Sequence, residues 1–409
     1  MTAAAAPKLL FIESLRGLAA CQVLLLHYCA AFLPGLVRLP GPTHFAAEGW
    51  LSHSPFFLLA DGYSAVYLFF VMSGFVLAPS FMGAPQAPPQ LVLKRYLRLF
   101  LPVLAAFASA VLLMLALPDA KPAALSLSHS GWLDIMGHNP MTWPALLQDG
   151  FWNSMLAGYQ DASVFSPWPA LAGRLALTPV STAMNSPMWT LHVEFWGSVL
   201  LIGVAWAGRR WPAPLFWVGM LGLTWVAGSS HFLLFLAGFL LYRLHGRLQA
   251  WRHWTATAAG GLLVAAGLYV CASKQLTWLS ACWQVAGHAG LLSADSDFHW
   301  QSQCGALMLF CGVLLCAPMR ALVVNPLTLW LGRISFSLYL LHFPILLTVG
   351  CLVFAWLAPQ SYLWGVVASV LLGGGLTLLS ATGFERWIDR RAVAIARRWT
   401  ANQTLSGLK

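Results

Sequence analysis

Charge is what this chain has least of. Only 8% of its 409 residues are Asp, Glu, Lys or Arg, where a soluble domain carries about a quarter, and 59% are hydrophobic. That imbalance excludes a water-soluble globular fold. Acidic residues are the scarcer sign, 12 against 22 basic, and a net charge of +10 would suit nucleic acid if the basic groups shared one face. They are instead scattered at the ends of apolar runs, which fits membrane topology and argues against a nucleic-acid partner. The eight cysteines (Cys21, Cys29, Cys271, Cys282, Cys304, Cys311, Cys316 and Cys351) form no CxxC and share no zinc-like spacing with His. No metal site is expected, and the thiols read as small packing groups. Internal repeats, low-complexity tracts and a soluble domain beyond residue 383 are also missing; only a basic tail follows.

Apolar runs of helix length fill the space, at 9–33, 56–78, 97–117, 187–207, 212–228, 230–244, 255–273, 303–319, 336–357 and 361–383. In hydrocarbon a spanning backbone must satisfy its own hydrogen bonds. The sequence therefore predicts an all-α integral membrane protein, a bundle of about ten transmembrane helices. The first run is long, carries polar residues and lacks a small-residue cleavage pattern, so it reads as helix one and not as a discarded leader. With the N-terminus in the cytoplasm, 18 of the 22 Lys and Arg fall on that side, leaving Arg38, Lys121, Arg174 and Lys274 outside. An even number of crossings puts the C-terminus in the cytoplasm too.

Residues 34–55 are expected to form an outer loop and 79–93 a Pro-rich inner one. The longest outer excursion, 118–186, carries Trp132, Trp143, Trp152 and Trp168 with Asp119, Asp134, Asp149 and Asp161. Its segment 144–160 predicts a short helix lying on the membrane or re-entering it. Interfacial anchoring is the plain reading, and bordering an outward-facing acceptor site the alternative. Residues 274–300, with His288, Asp295, Asp297 and His299, read as a second, solvated outer loop.

Ionisable residues inside membrane segments cost at least about 2.5 kcal/mol each and so point to function. The first helix holds two, Arg16 and His27. Eleven residues apart, they fall on roughly one face about 16 Å apart along the axis, and are expected to look into one cavity. Glu13, three residues before Arg16, is placed to pair with it. Glu194 and His342 are the other intramembrane candidates, the carboxylate as a group that orients an imidazole. Arg95 and Arg98, one turn apart in KRYLRLFLP, suit a phosphorylated ligand; positive-inside anchoring is the alternative. Ser73 and Gly74 in FFVMSGFVL read as a close-packing site, since no nucleophile elbow surrounds the serine. A proton-coupled transporter or flippase would use the same intramembrane His and Glu, but such proteins usually show repeated halves.

Taken together, LRG with His27 ten residues on, FFVMSGF, Arg95-x-x-Arg98, WTLHVEF, LGRISFSLYLLHFP and the late FERW resemble the acyltransferase 3 family of membrane acyltransferases. These blocks span residues 9–390 in the family's order. The resemblance implies one transmembrane domain over 1–390 followed by a basic cytoplasmic tail, 391–409. It implies transfer of an acyl group, acetyl by default, from acyl-CoA to a hydroxyl of a saccharide, lipid-linked glycan or small molecule. Acetyl-CoA would be a co-substrate, with no permanently bound cofactor, in a bacterial cytoplasmic membrane, and homodimerisation is left open. By the same resemblance His27 and Glu194 would be catalytic, Arg16, Arg95 and Arg98 donor-binding, and Glu13, Ser73, Gly74, Trp189, Tyr339 and His342 motif positions near the site. Three residues depart from the family's pattern: Tyr28 in place of a second His, Glu13 in place of Asp, and Tyr67 where Asp is frequent. No counterpart of the family's esterase-like extracytoplasmic domain occurs, so the activity is expected within the bundle.

Overall fold

A computed structural model describes residues 9–160, 162–166, 168–228, 230–250, 254–274, 276–289 and 297–406. Asp161 and Asp295, and the side chains of His288 and Asp297, lie outside the described residues. Among the described residues every regular element is helical. The main ones are α1 (Leu10–Phe32), α2 (Gly62–Met82), α3 (Pro88–Ala116), α4 (Trp189–Arg210), α5 (Ala213–Ala227), α6 (His231–Ala250), α7 (Trp254–Ser273), α8 (Thr277–Ala289), α9 (Asp297–Leu315), α10 (Pro326–Leu357) and α11 (Tyr362–Trp399).

Local chemistry sets several boundaries. Asp61 caps α2 by accepting from the Ser64 N–H at 3.3 Å. Pro88 opens α3, where a missing N–H costs nothing. Asn325 and Thr328 exchange reciprocal bonds at the start of α10 (3.0 and 3.1 Å).

All ten predicted segments are helical, but they are not equivalent. Among the described residues seven helices are long and apolar enough to cross a membrane. An eighth crossing counts only if α9 and the short helix Ala317–Val323, bent by 102° at their junction, form one span. The 15 residues of α5 reach only about 22 Å, short of a hydrocarbon core of about 30 Å, and the apolar part of α6 ends at Leu244. By length and composition the described residues thus give seven or eight candidate crossings, fewer than the ten expected.

The expected loop 274–300 is a correction of a different kind. Residues 277–289 are helix α8, and Trp300 Nε1 on α9 donates to the Leu279 carbonyl of α8 at 3.0 Å. Neither end of the segment is solvated. Lys274 is buried against Asp61 at 2.5 Å, and His299 Nδ1 meets the Tyr67 hydroxyl at 2.7 Å. Two of the four cations that break the charge rule are thereby neutralised or hydrogen-bonded, for Arg38 also donates to the Ser52 and Ala272 carbonyls.

Lipid tails are as apolar as Leu, so helices in a membrane are held by close contact and by hydrogen bonds. Glycines supply the contact. A Cβ on Gly17 or on Gly332 would collide with the other helix where α1 crosses α10, and Gly74 and Gly238 do the same for α2 and α6. Large apolar side chains such as Leu112, Leu221 and Leu379 face outward, as a lipid-exposed surface requires. The chain after Asp389 stays in the bundle: it is helical to Ser406 and buries Ala392 and Ala396, with α3 as its neighbour.

Candidate active site

The Gly17/Gly332 crossing draws α1 and α10 together, and further along them two histidines meet. His27 Nδ1 lies 3.0 Å from His342 Nε2. His342 Nδ1 faces the backbone carbonyls of Tyr339 (2.7 Å) and Leu338 (3.2 Å), which only accept. Nδ1 of His342 therefore carries its proton. With both rings neutral, His342 Nε2 accepts from His27 Nδ1–H, and the free lone pair of His27 is on Nε2. This tautomer follows from the hydrogen-bond network. The His27 ring lines a cavity and packs against Trp132 (5.5 Å between centroids) and Phe343 (5.6 Å).

A break in α10 beside this pair is compensated locally. Pro344 has no N–H for the Leu340 carbonyl, and a wider π turn follows at Leu346–Gly350. Asn185 Nδ2 donates to that Leu340 carbonyl at 2.7 Å. Two residues further on, the Pro187 carbonyl accepts from the Tyr339 hydroxyl (2.9 Å), which in turn accepts from Thr190 Oγ1 (2.8 Å). The stretch 185–190 thus grips α10 at three points. Asp149 anchors that stretch in turn: its carboxylate accepts from the Met184 N–H (2.8 Å) and the Tyr159 hydroxyl (2.6 Å). Burial pushes the Asp149 carboxyl up to about 6, although both hydrogen bonds pull it down.

A second cavity contains the cationic cluster. It is lined by Arg16, Arg95, Arg98 and Glu194, with Ser73 on α2. Arg95 is committed: one nitrogen is paired with Glu194 and Nε donates to Ser198 Oγ at 2.9 Å. Arg16 has Arg98 as a cationic neighbour and Glu194, Asp389 and Glu13 as acidic ones. The lining itself carries three guanidinium groups and one carboxylate, with Asp389 and Glu13 as further acidic neighbours.

The candidates are therefore divided. Arg16 and His27 line two different cavities, and Val66 and Tyr339 line both. Glu194, expected to orient an imidazole, is instead the partner of Arg95, and the partner of His27 is His342. Trp189 lines the His27 cavity, Ser73 the cationic one, and Gly74 packs against α6. Of the excursion 118–186, Trp132, Met136, Val180 and Ser186 reach the His27 cavity. The short helix Gly131–Ile135 that carries Trp132 is pinned to α1 by Ser130 Oγ, which donates to the Ala30 carbonyl at 2.7 Å. Segment 144–160 is helical up to Ala157, exposes Trp152 and Phe151, and buries Asp149. Sequence reasoning missed Val66, Asn185 and Thr190. The only available signals were that Thr190 lies inside the WTLHVEF block and that Asn185 stands just before it.

A family model described as an acyltransferase domain matches residues 9–385, nearly the whole chain. No curated protein and no solved structure matches it.

Proposed function

The chain belongs to the acyltransferase 3 family and is a multi-pass membrane acyltransferase, and from that premise we propose an acyl-CoA-dependent O-acyltransferase centred on His27. The donor is acetyl-CoA and the acceptor a hydroxyl of a saccharide, glycolipid or small molecule. The membrane is a bacterial cytoplasmic one, with both termini inside.

The observation that carries this reading is the His27–His342 pair, which leaves an unprotonated Nε2 on His27 at a cavity wall. In the proposed reaction the acceptor hydroxyl gives its proton to His27 Nε2 as its oxygen attacks the thioester carbonyl. The C–O bond forms and the C–S bond breaks. The thiolate leaves and takes the proton from the imidazolium, giving ester and CoA thiol. Because His342 spends its Nδ1–H on a carbonyl, it fixes the tautomer of His27 and stays out of the bond changes.

Arg16 and Arg98 meet the donor phosphates, where guanidinium forks bind best, while Arg95, held by Glu194 and Ser198, frames the site. The pantetheine arm bridges the roughly 16 Å between Arg16 and His27. A proton-coupled transporter would need its intramembrane His and Glu to exchange protons, yet His27 and Glu194 face different cavities.

Purified protein in detergent tests the reading. Acetyl-CoA plus an envelope extract should release CoA thiol with the wild type and not with His27→Ala. Solute uptake by reconstituted vesicles without any acyl donor, together with no thiol release, would overturn it.

A further inference from the structure

Two residues, Val66 and Tyr339, line both the cationic cavity and the His27 cavity. Neither is free to move aside. Tyr339 is buried, its hydroxyl is tied to Pro187 and Thr190, and its ring lies edge-on to Phe69 at 6.2 Å. Val66 is β-branched and on a helix, so a single rotamer dominates. It also sits midway along one stripe of α2. Tyr63 and Val66 line the His27 cavity, while Val66, Phe70 and Ser73 line the cationic one. Spacings of three and four residues put all four on one helix face, so one continuous surface leads from cavity to cavity.

Resting on the acyl-transfer reading above, we propose that Val66 and Tyr339 form the passage that sets which acyl group is transferred. The thioester sulfur stays on the cationic side and the acyl carbon reaches His27 between these two side chains. There the C–S bond breaks and the C–O bond forms, the hydroxyl proton passing through His27 to the CoA thiolate. A passage walled by a fixed aromatic ring and a rigid Val admits an acetyl group and excludes longer chains. A single methylene in such a slot changes kcat/KM by about 10- to 200-fold.

The test compares acetyl-, butyryl- and hexanoyl-CoA as donors for the wild type, Val66→Ala and Val66→Phe, with CoA binding measured in parallel. The wild type should favour acetyl. Val66→Ala should raise butyryl relative to acetyl turnover about tenfold or more. Val66→Phe should lose acetyl transfer while binding CoA as the wild type does, since the arginines are untouched. If Val66→Phe does not fold, Val66→Ala decides alone. Acetyl transfer by the wild type with an unchanged chain-length profile in Val66→Ala would overturn the passage and leave the acyltransferase reading standing. No transfer from any donor by folded wild type would instead remove the acyltransferase reading, and the passage with it.

Discussion

His27 Nδ1 stands 3.0 Å from His342 Nε2, and His342 Nδ1 stands 2.7 Å from the Tyr339 carbonyl. The pair is directional: the carbonyl sets His342, and His342 sets His27. His342→Leu should therefore lower kcat about 100-fold and leave the donor KM unchanged. His342→Gln, whose amide oxygen can accept from His27 Nδ1–H, should restore a large part of the loss. A merely space-filling His342 would give the opposite order, because Leu fills the site without needing a polar partner.

The three arginines should separate by role. Arg98→Ala should raise the donor KM about 10- to 100-fold, as loss of a charge-assisted phosphate contact does. Arg95→Ala should act mainly on stability, because it strands Glu194, whose side chain is only 14% exposed. Breaking such a pair on one side costs about 3–5 kcal/mol. Thermal unfolding in detergent should show Arg95→Met with Glu194→Gln to be milder than Arg95→Ala alone, since the double change leaves no stranded charge.

Asn185 compensates a defect made by Pro344. Asn185→Ala should leave the Leu340 carbonyl unsatisfied and destabilise the bundle by about 1–3 kcal/mol, read as a lower unfolding midpoint. Activity should fall as well, because α10 carries both Tyr339 and His342.

Asp149 gives the segment 148–157 a pH dependence of definite sign. Its carboxyl lies at about 6 in the folded chain against an ordinary 3.8. Between those values the folded state binds the extra proton, so this group's contribution to stability is present at low pH and is lost as pH rises toward 6. The full span is worth about 3 kcal/mol. The difference in unfolding midpoint between the wild type and Asp149→Asn should therefore shift against the wild type between pH 4 and 6.5 and level off above. A constant difference would contradict the account.

What could be read from the sequence follows the limits of helical periodicity. Apolar runs locate helices, and the eleven-residue step from Arg16 to His27 gives a shared face. Periodicity does not say which helix lies opposite. His342 is 315 residues from His27, and Arg95 and Glu194 are 99 apart, so both pairings were invisible until α1 met α10 and α3 met α4. The same limit hid Val66 and the placing of Tyr339 at both cavities, one lined by Arg16 and the other by His27. Helix α8 is not legible as a helix because TWLSACWQVAGHA carries several polar residues and borders charged sequence. It lies against α9, to which Trp300 ties it. Trp132 was noted only as an anchor, since nothing in its neighbourhood reveals that Ser130 turns the segment onto α1.

The central claim, acyl transfer at His27, is tested most directly by supplying radiolabelled acetyl-CoA to membranes containing the wild type or His27→Ala and separating saccharide, lipid and small-molecule fractions. The account predicts label in one of these fractions with the wild type and none with the variant, at equal amounts of folded protein. Equal labelling by the two, or no label from the folded wild type in the presence of envelope acceptors, would contradict it.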